Sequence, residues 1–237
     1  MKLNILPVGA ALALMTAVTA CDEGTIYPDN TVADAEGASV RLTASLKGAD
    51  TWSDGYRVAL AGFTGNDEYA VISKNVDAGD GEIDVTLSGI GPEVTSVELC
   101  VLDGLRRRVA TLAATDVTGA QQSSLSFDAG EVDAGMFGVI QRDVFSTTCA
   151  NCHGASSHAA AGLYLTEGQS YGSLVGVASA VVDGGVRVTP GDAASSVLYQ
   201  ALSTDMSAAW HYDHSVEIPS ASTLAMIKGW IDGGAMP

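Results

Sequence analysis

Cys149, Cys152 and His153 stand in the run Cys149-Ala150-Asn151-Cys152-His153, a C-x-x-C-H spacing. Two thiols so placed can each add to a haem vinyl group as thioethers. The histidine beside the second is then held against one face of the iron. The pattern reads as c-type haem attachment, and it makes electron transfer the leading function. Part of the pattern suits other chemistry. A disulfide could join the two cysteines. Zinc would need two more ligands, which His211 and His214 could supply. A thioredoxin-like dithiol would want a βαβ context, and none is evident in the sequence.

The motif sits in a chain that reads as exported. Residues 1–20 have the layout of a cleaved secretory signal, with Lys2 before an apolar stretch and Val18-Thr19-Ala20 before Cys21. A cysteine after small residues resembles a bacterial lipobox, so Cys21 is the expected lipidation site. The expected location is that of a lipoprotein on the cell membrane or outer membrane, facing the periplasm or the cell surface, and held there by its N-terminal lipid. The net charge is −17, from 28 acidic and 11 basic residues. Such a surface repels nucleic acid, which is not expected as a partner. Redox protein partners presenting basic residues are its natural complement. Cys100 lies in a strand-like run and reads as a small buried hydrophobe.

The elements that must position the motif fall into two halves. Residues 21–37, beginning at the lipidated cysteine, are acidic and turn-rich and read as a flexible tether. Over residues 38–128 the apolar positions alternate. Val40, Leu42, Ala44 and Leu46 interleave with Arg41, Thr43, Ser45 and Lys47, and similar runs follow at 56–63, 69–74, 82–87, 94–102 and 108–113. Short strands spaced by turn residues predict an all-β sandwich. This half has no histidine and no catalytic constellation. Its Arg106-Arg107-Arg108 cluster reads as a solvated hairpin end or a docking patch. Trp52 and Tyr56 could cap the core or form a sugar-stacking platform. Acidic, Gly/Ala-rich text at 129–134 reads as an inter-domain junction.

Beyond it the period becomes helical. Met136, Phe137, Ile140, Val144 and Phe145 share one face of a helix leading into the motif. A second helix is predicted around Val197, Leu198 and Leu202, with Asp192 as its N-cap, and a third from 224 to 231. The expected fold is therefore multidomain: an N-terminal all-β sandwich and, over residues 135–237, a separate C-terminal all-α domain.

Residues 135–237 resemble a single-haem cytochrome c domain of the planctomycete-type and related groups. The matching text is Val144-Phe145 before Cys149-x-x-Cys152-His153-Gly154, then Ala161-Gly162-Leu163-x-Leu165, Arg187-Val188-x-Pro190-Gly191-Asp192, and Leu224-x-x-Ile227-x-x-Trp230-Ile231. The β half resembles N-terminal domains of Bacteroidota-type lipoproteins. The cytochrome resemblance implies one covalent haem c on Cys149 and Cys152, with His153 as proximal ligand. It implies that the Pro190 carbonyl accepts the His153 imidazole N–H, and that Arg187 pairs with a haem propionate or is an ordinary surface arginine. Those domains carry a distal Met-Pro pair sixteen to nineteen residues before the final helix tryptophan. Here that window holds His214 and His211 and no methionine. His214 is the first choice for the sixth ligand, then His211, then Met206. His158 is too close to His153 to reach across, and Met236-Pro237 could do so only if the tail folded back. Two imidazoles would give a lower potential than histidine with methionine. The competing readings are a haem enzyme with an open distal site, peroxidase-like, and a glycan- or protein-binding module fused to a redox domain.

Overall fold

The alternating text of the first half folds as seven strands. The computed structural model describes residues 37–77, 79–120, 123–154, 159–218 and 220–237. The expectations for the signal peptide, for Cys21, for the tether as far as residue 36 and for His158 lie outside the described residues. Strand β1 (Ala38–Lys47) shows why the pattern matters. Its even positions Val40, Leu42, Ala44 and Leu46 are at most 2 % exposed. Successive side chains point to opposite faces, so one face enters the core while Arg41 and Lys47 stay in solvent. Strand β1 is central in a three-stranded sheet, antiparallel to β4 (Gly81–Ile90) and parallel to β7 (Ser124–Asp133). The second sheet has the order β3-β2-β5-β6, from β2 (Tyr56–Phe63), β3 (Ile72–Asn75), β5 (Ser96–Asp103) and β6 (Arg108–Asp116). Both sheets contribute to one core, in which Val40 and Leu42 join Leu60, Leu99 and Val101. This part is consistent with a sandwich.

The expected fold class, a sandwich joined to a separate all-α domain, is overturned by three findings. The described residues fall within one compact unit, Ala35–Pro237. The molecule is mainly β-sheet, and its described α-helices are short. They are α1 (Met136–Ile140), α2 (Ser170–Leu174), α3 (Val197–Ser203), α4 (Ser207–Trp210) and α5 (Ala221–Asp232). Only α5 exceeds two turns. Turns and single 3-10 turns make up much of the rest.

The third finding concerns the expected junction at 129–134, of which residues 129–133 are the second half of β7. It pairs with β1 through Ser45↔Glu131, Leu46↔Val132 and Lys47↔Asp133. The chain then enters α1 under tight constraint. Ala134 N–H donates to the Lys47 carbonyl (2.8 Å), Trp52 Nε1–H to the Ala134 carbonyl (2.6 Å) and Met136 N–H to Thr51 Oγ1 (2.8 Å). Gly48, with φ of 72°, lies so close that a Cβ there would sit 2.8 Å from Gly135 Cα. One continuous core follows, running from Leu42 to Met136, Phe145, Ile227 and Trp230. No described helix is long and apolar enough to cross a membrane.

Trp52 and Tyr56 belong to this joint. Their rings meet edge-on at 5.3 Å, and a Cβ on Gly229 of α5 would touch Tyr56 at 3.9 Å. In the arginine cluster, Arg107 approaches Asp103 (3.7 Å), and Arg108 pairs with buried Glu98 (2.6 Å) while lying over the Phe63 ring. Asp192 does not cap α3. Ser196 occupies the N-cap, and Asp192 instead receives the N–H and hydroxyl of Ser195.

Candidate haem site

The helix leading to the motif changes pitch before it arrives. After α1 the chain makes a π-helical turn, Gln141–Phe145, then a 3-10 turn, Cys149–Asn151. The wider turn lets Gln141 stay buried among apolar neighbours with its amide fully used. Its Nε2 donates to Ser146 Oγ (3.0 Å) and the Leu165 carbonyl (3.2 Å), and its Oε1 accepts from the Ser170 hydroxyl. Leu165 N–H in turn donates to the His153 carbonyl (2.7 Å). Gln141 thus ties α1, α2 and the segment after the motif together around His153. Such π turns are frequent at functional sites.

His153 is half-buried. Its Nδ1 lies 3.0 Å from the carbonyl oxygen of Ala160. A ring protonated at Nδ1 donates to that oxygen and keeps the Nε2 lone pair free for a metal. Burial pushes the His153 pKa down, the Ala160 bond opposes this, and His214 and Arg187 add to the depression. The neutral form is the one that ligates iron. The acceptor on Nδ1 is therefore Ala160, in the place the resemblance gave to Pro190. Pro190 is exposed in a turn pinned elsewhere, where Gly191 N–H donates to the Ile231 carbonyl (2.8 Å) at the end of α5. Arg187 is committed to backbone. Nη1 donates to the Ser173 carbonyl (2.8 Å) and Nη2 to those of Ala161 (2.9 Å) and Gly162 (3.2 Å). It fastens the loop that carries Ala160.

Among the residues expected as sixth ligand, His214 has its ring near that of His153. The ring centroids are 6.1 Å apart with planes inclined at 32°. His214 opens a 3-10 turn, His214–Glu217, capped by Asp213, whose carboxylate accepts from Ser215 N–H (2.9 Å). The turn packs against α3. Trp210 and Tyr212 meet the His214 ring edge-on at 5.5 and 5.0 Å. Its Nδ1 is buried without a hydrogen-bond partner. His211 is exposed, with φ of 59° at the end of α4, and Met206 is the residue before that helix. The C-terminal tail is held on α5, since Trp230 Nε1–H donates to the Met236 carbonyl (2.6 Å) and the Met236 side chain is exposed.

Cys149 and Cys152 are free thiols, Cys149 half-buried and Cys152 exposed. Burial pushes the Cys149 thiol up to about 11, helped by Glu217 and Cys152. A redox-active dithiol wants the opposite shift, toward thiolate. Cys100 is buried in β5 and its pKa is also raised, chiefly by burial. No group of three or more His, Cys, Asp or Glu among the described residues is arranged to hold a metal ion. A haem asks less of the protein, since the porphyrin supplies four of the iron's ligands and only two axial groups are needed.

The spacing of the two imidazoles is compatible with such a group. Metal–imidazole bonds of about 2 Å, with ring centres ~1.1 Å behind the nitrogens, put two axial imidazole centroids about 6 Å apart. The two thiols lie beside one of these rings in sequence, unpaired. On the other ring, Nδ1 is buried and has no hydrogen-bond partner. Sequence reasoning missed Gln141, Ala160, Trp210 and Tyr212 as supports. Gln141, a polar residue in an otherwise apolar helix face, was the available signal. Comparison of the chain with family models, characterised protein sequences and solved structures finds no match in any of the three.

Proposed function

We propose that the chain is an exported c-type cytochrome that passes single electrons through one haem c. Cys149 and Cys152 would hold it covalently, and His153 and His214 axially. The observation that carries this reading is the 6.1 Å approach of two imidazoles from separate segments, one of them the histidine of the C-x-x-C-H run. A bound haem supplies a one-electron couple, at lower potential with two imidazoles than with a methionine opposite histidine.

The chain's own residues account for the rest. The Ala160 carbonyl fixes the proton on His153 Nδ1, and Arg187 holds the loop that carries it. Trp210 and Tyr212 orient the His214 ring. As sixth ligand His214 would fill the position that an enzyme leaves open to a substrate, which favours electron carriage over peroxidase-like chemistry. Asp213 and Glu217 stand at the start and end of the turn that begins at His214, with exposed Tyr212 and Val216 beside them. A redox partner presenting basic residues around an apolar centre suits this face. A lipid on Cys21 would anchor the protein to the membrane.

The test is to produce the chain in a host with c-type maturation and measure its mass after denaturation. The reading predicts one haem retained covalently, lost when Cys149 and Cys152 are both changed to serine. A wild-type mass without haem would refute it.

A further inference from the structure

A second site lies away from the histidines, on the outer face of the four-stranded sheet. An open groove of about 530 Å³ is lined there by Asp54, Arg57, Ser73, Asn75, Asp103 and Arg106. The strand register explains how it forms. Ala59 pairs with Asn75 and Ala61 with Ser73, while Arg57 pairs with Leu102. Alternation therefore puts Arg57, Ser73 and Asn75 on the face opposite Val58 and Leu60, where they line the groove with Gly55, Leu102 and Gly104. Arg106, held at φ of 62° in the turn between β5 and β6, closes one end.

The charges of this groove are unusual for so acidic a chain. Nearly every other described basic side chain is claimed by a carboxylate or by backbone carbonyls outside its own neighbourhood. Arg41 has Asp84, Lys47 has Glu131, Arg107 has Asp103, Arg108 has Glu98, Arg142 has Asp143 and Lys228 has Asp232. Lys74 and Arg187 bond distant carbonyls. Arg57 donates only to the adjacent Tyr56 carbonyl, and the Arg106 side chain has no partner among the described residues. Two available guanidinium groups thus share one hollow. Asp103 is already engaged, accepting from Leu105 and Arg107 N–H.

We propose that this groove binds the carboxylate of an acidic saccharide. Guanidinium forks match a planar carboxylate in a bidentate way. Arg57 and Arg106 are matched in number by Asp54 and Asp103 in the lining, and with Asp103 engaged by the turn the two guanidinium groups remain for the ligand's carboxylate. Ser73, Asn75 and Asp54 offer hydroxyl, amide and carboxylate groups, the mixture of donors and acceptors that sugar hydroxyls need. The inference is independent of the haem reading.

The experiment is calorimetric titration of the mature full-length chain with a galacturonic-acid trisaccharide, with its methyl ester, and with inorganic phosphate at matched ionic strength. Saturable binding is expected for the trisaccharide, at least tenfold weaker for the ester, in Arg57→Ala and in Arg106→Ala, and unchanged in Arg41→Ala on the other sheet. The ester arm uses the wild-type protein and needs no variant to fold. Absent binding, equal binding of the ester, equal displacement by phosphate, or equal loss in Arg41→Ala would each overturn the proposal.

Discussion

The two halves of this molecule treat their polar groups in opposite ways. In the β half, buried Glu98 accepts from Arg108 (2.6 Å), Thr111 (2.8 Å) and Ser96 (3.2 Å), and Arg108 also lies over Phe63. The group is satisfied from within the sheet. Around the motif, buried His214 Nδ1 has no partner, two thiols are unpaired, and two imidazoles stand with their ring centroids 6.1 Å apart. Regular strands let neighbours complete each other. The turns of the second half are instead arranged to bring side chains from distant segments to one place, and their order comes from a few anchors such as Gln141 and Arg187.

The largest expected effect tests whether the halves are truly joined. Phe145 is fully buried in the core they share. Phe145→Ala should cost about 3–5 kcal/mol. Unfolding followed by strand circular dichroism and by tryptophan fluorescence should shift together in one transition. Two separated transitions would restore independent domains. Next, Glu98→Ala should cost about 2–3 kcal/mol in urea unfolding, because it strands a partly buried guanidinium and a hydroxyl. Covalent haem content should not change, which separates the sheet's polar network from the site. Gln141→Ala should cost about 1–2 kcal/mol by leaving the Ser170 hydroxyl unpaired. Unlike Glu98→Ala, it should also disturb the haem spectrum, since Gln141 holds the Leu165 segment bonded to His153.

The smallest effect is electrostatic. Asp232 accepts from Lys228 and from Ala193 N–H (2.8 Å), and both hold its pKa below the ordinary carboxylate value, the lysine more strongly. A carboxyl group whose folded pKa is depressed adds stability above its unfolded value, and that contribution disappears as pH falls through the folded value. The side chain is 39 % exposed, so solvent screening limits the effect to about 0.5 kcal/mol. Asp232→Asn should therefore lower the melting temperature slightly at pH 7, and the difference should vanish as pH falls through the depressed folded pKa of Asp232.

The sequence carried the strands well where alternation was clean. The run at 56–63 is β2 to the residue, and 108–113 lies inside β6. Strand β7 was missed because its alternation rests on Leu125, Phe127 and Ala129 and is then interrupted by Gly130, in a segment whose acids read as a junction. Its parallel pairing with β1 is a long-range event that no local pattern announces. The same cause hid the single core. At the site, the count back from Trp230 selects His214, whose ring lies near that of His153, because that count is local to the final helix and the loop before it. The Ala160 acceptor was not legible, since a backbone carbonyl has no side-chain signature.

The most direct test of the central claim is the optical spectrum of the oxidised, haem-loaded chain, compared with His214→Ala and His211→Ala. Ligation by His153 and His214 predicts a six-coordinate low-spin wild type, a high-spin His214→Ala that binds carbon monoxide when reduced, and a His211→Ala like the wild type. A low-spin spectrum that survives in His214→Ala would contradict it.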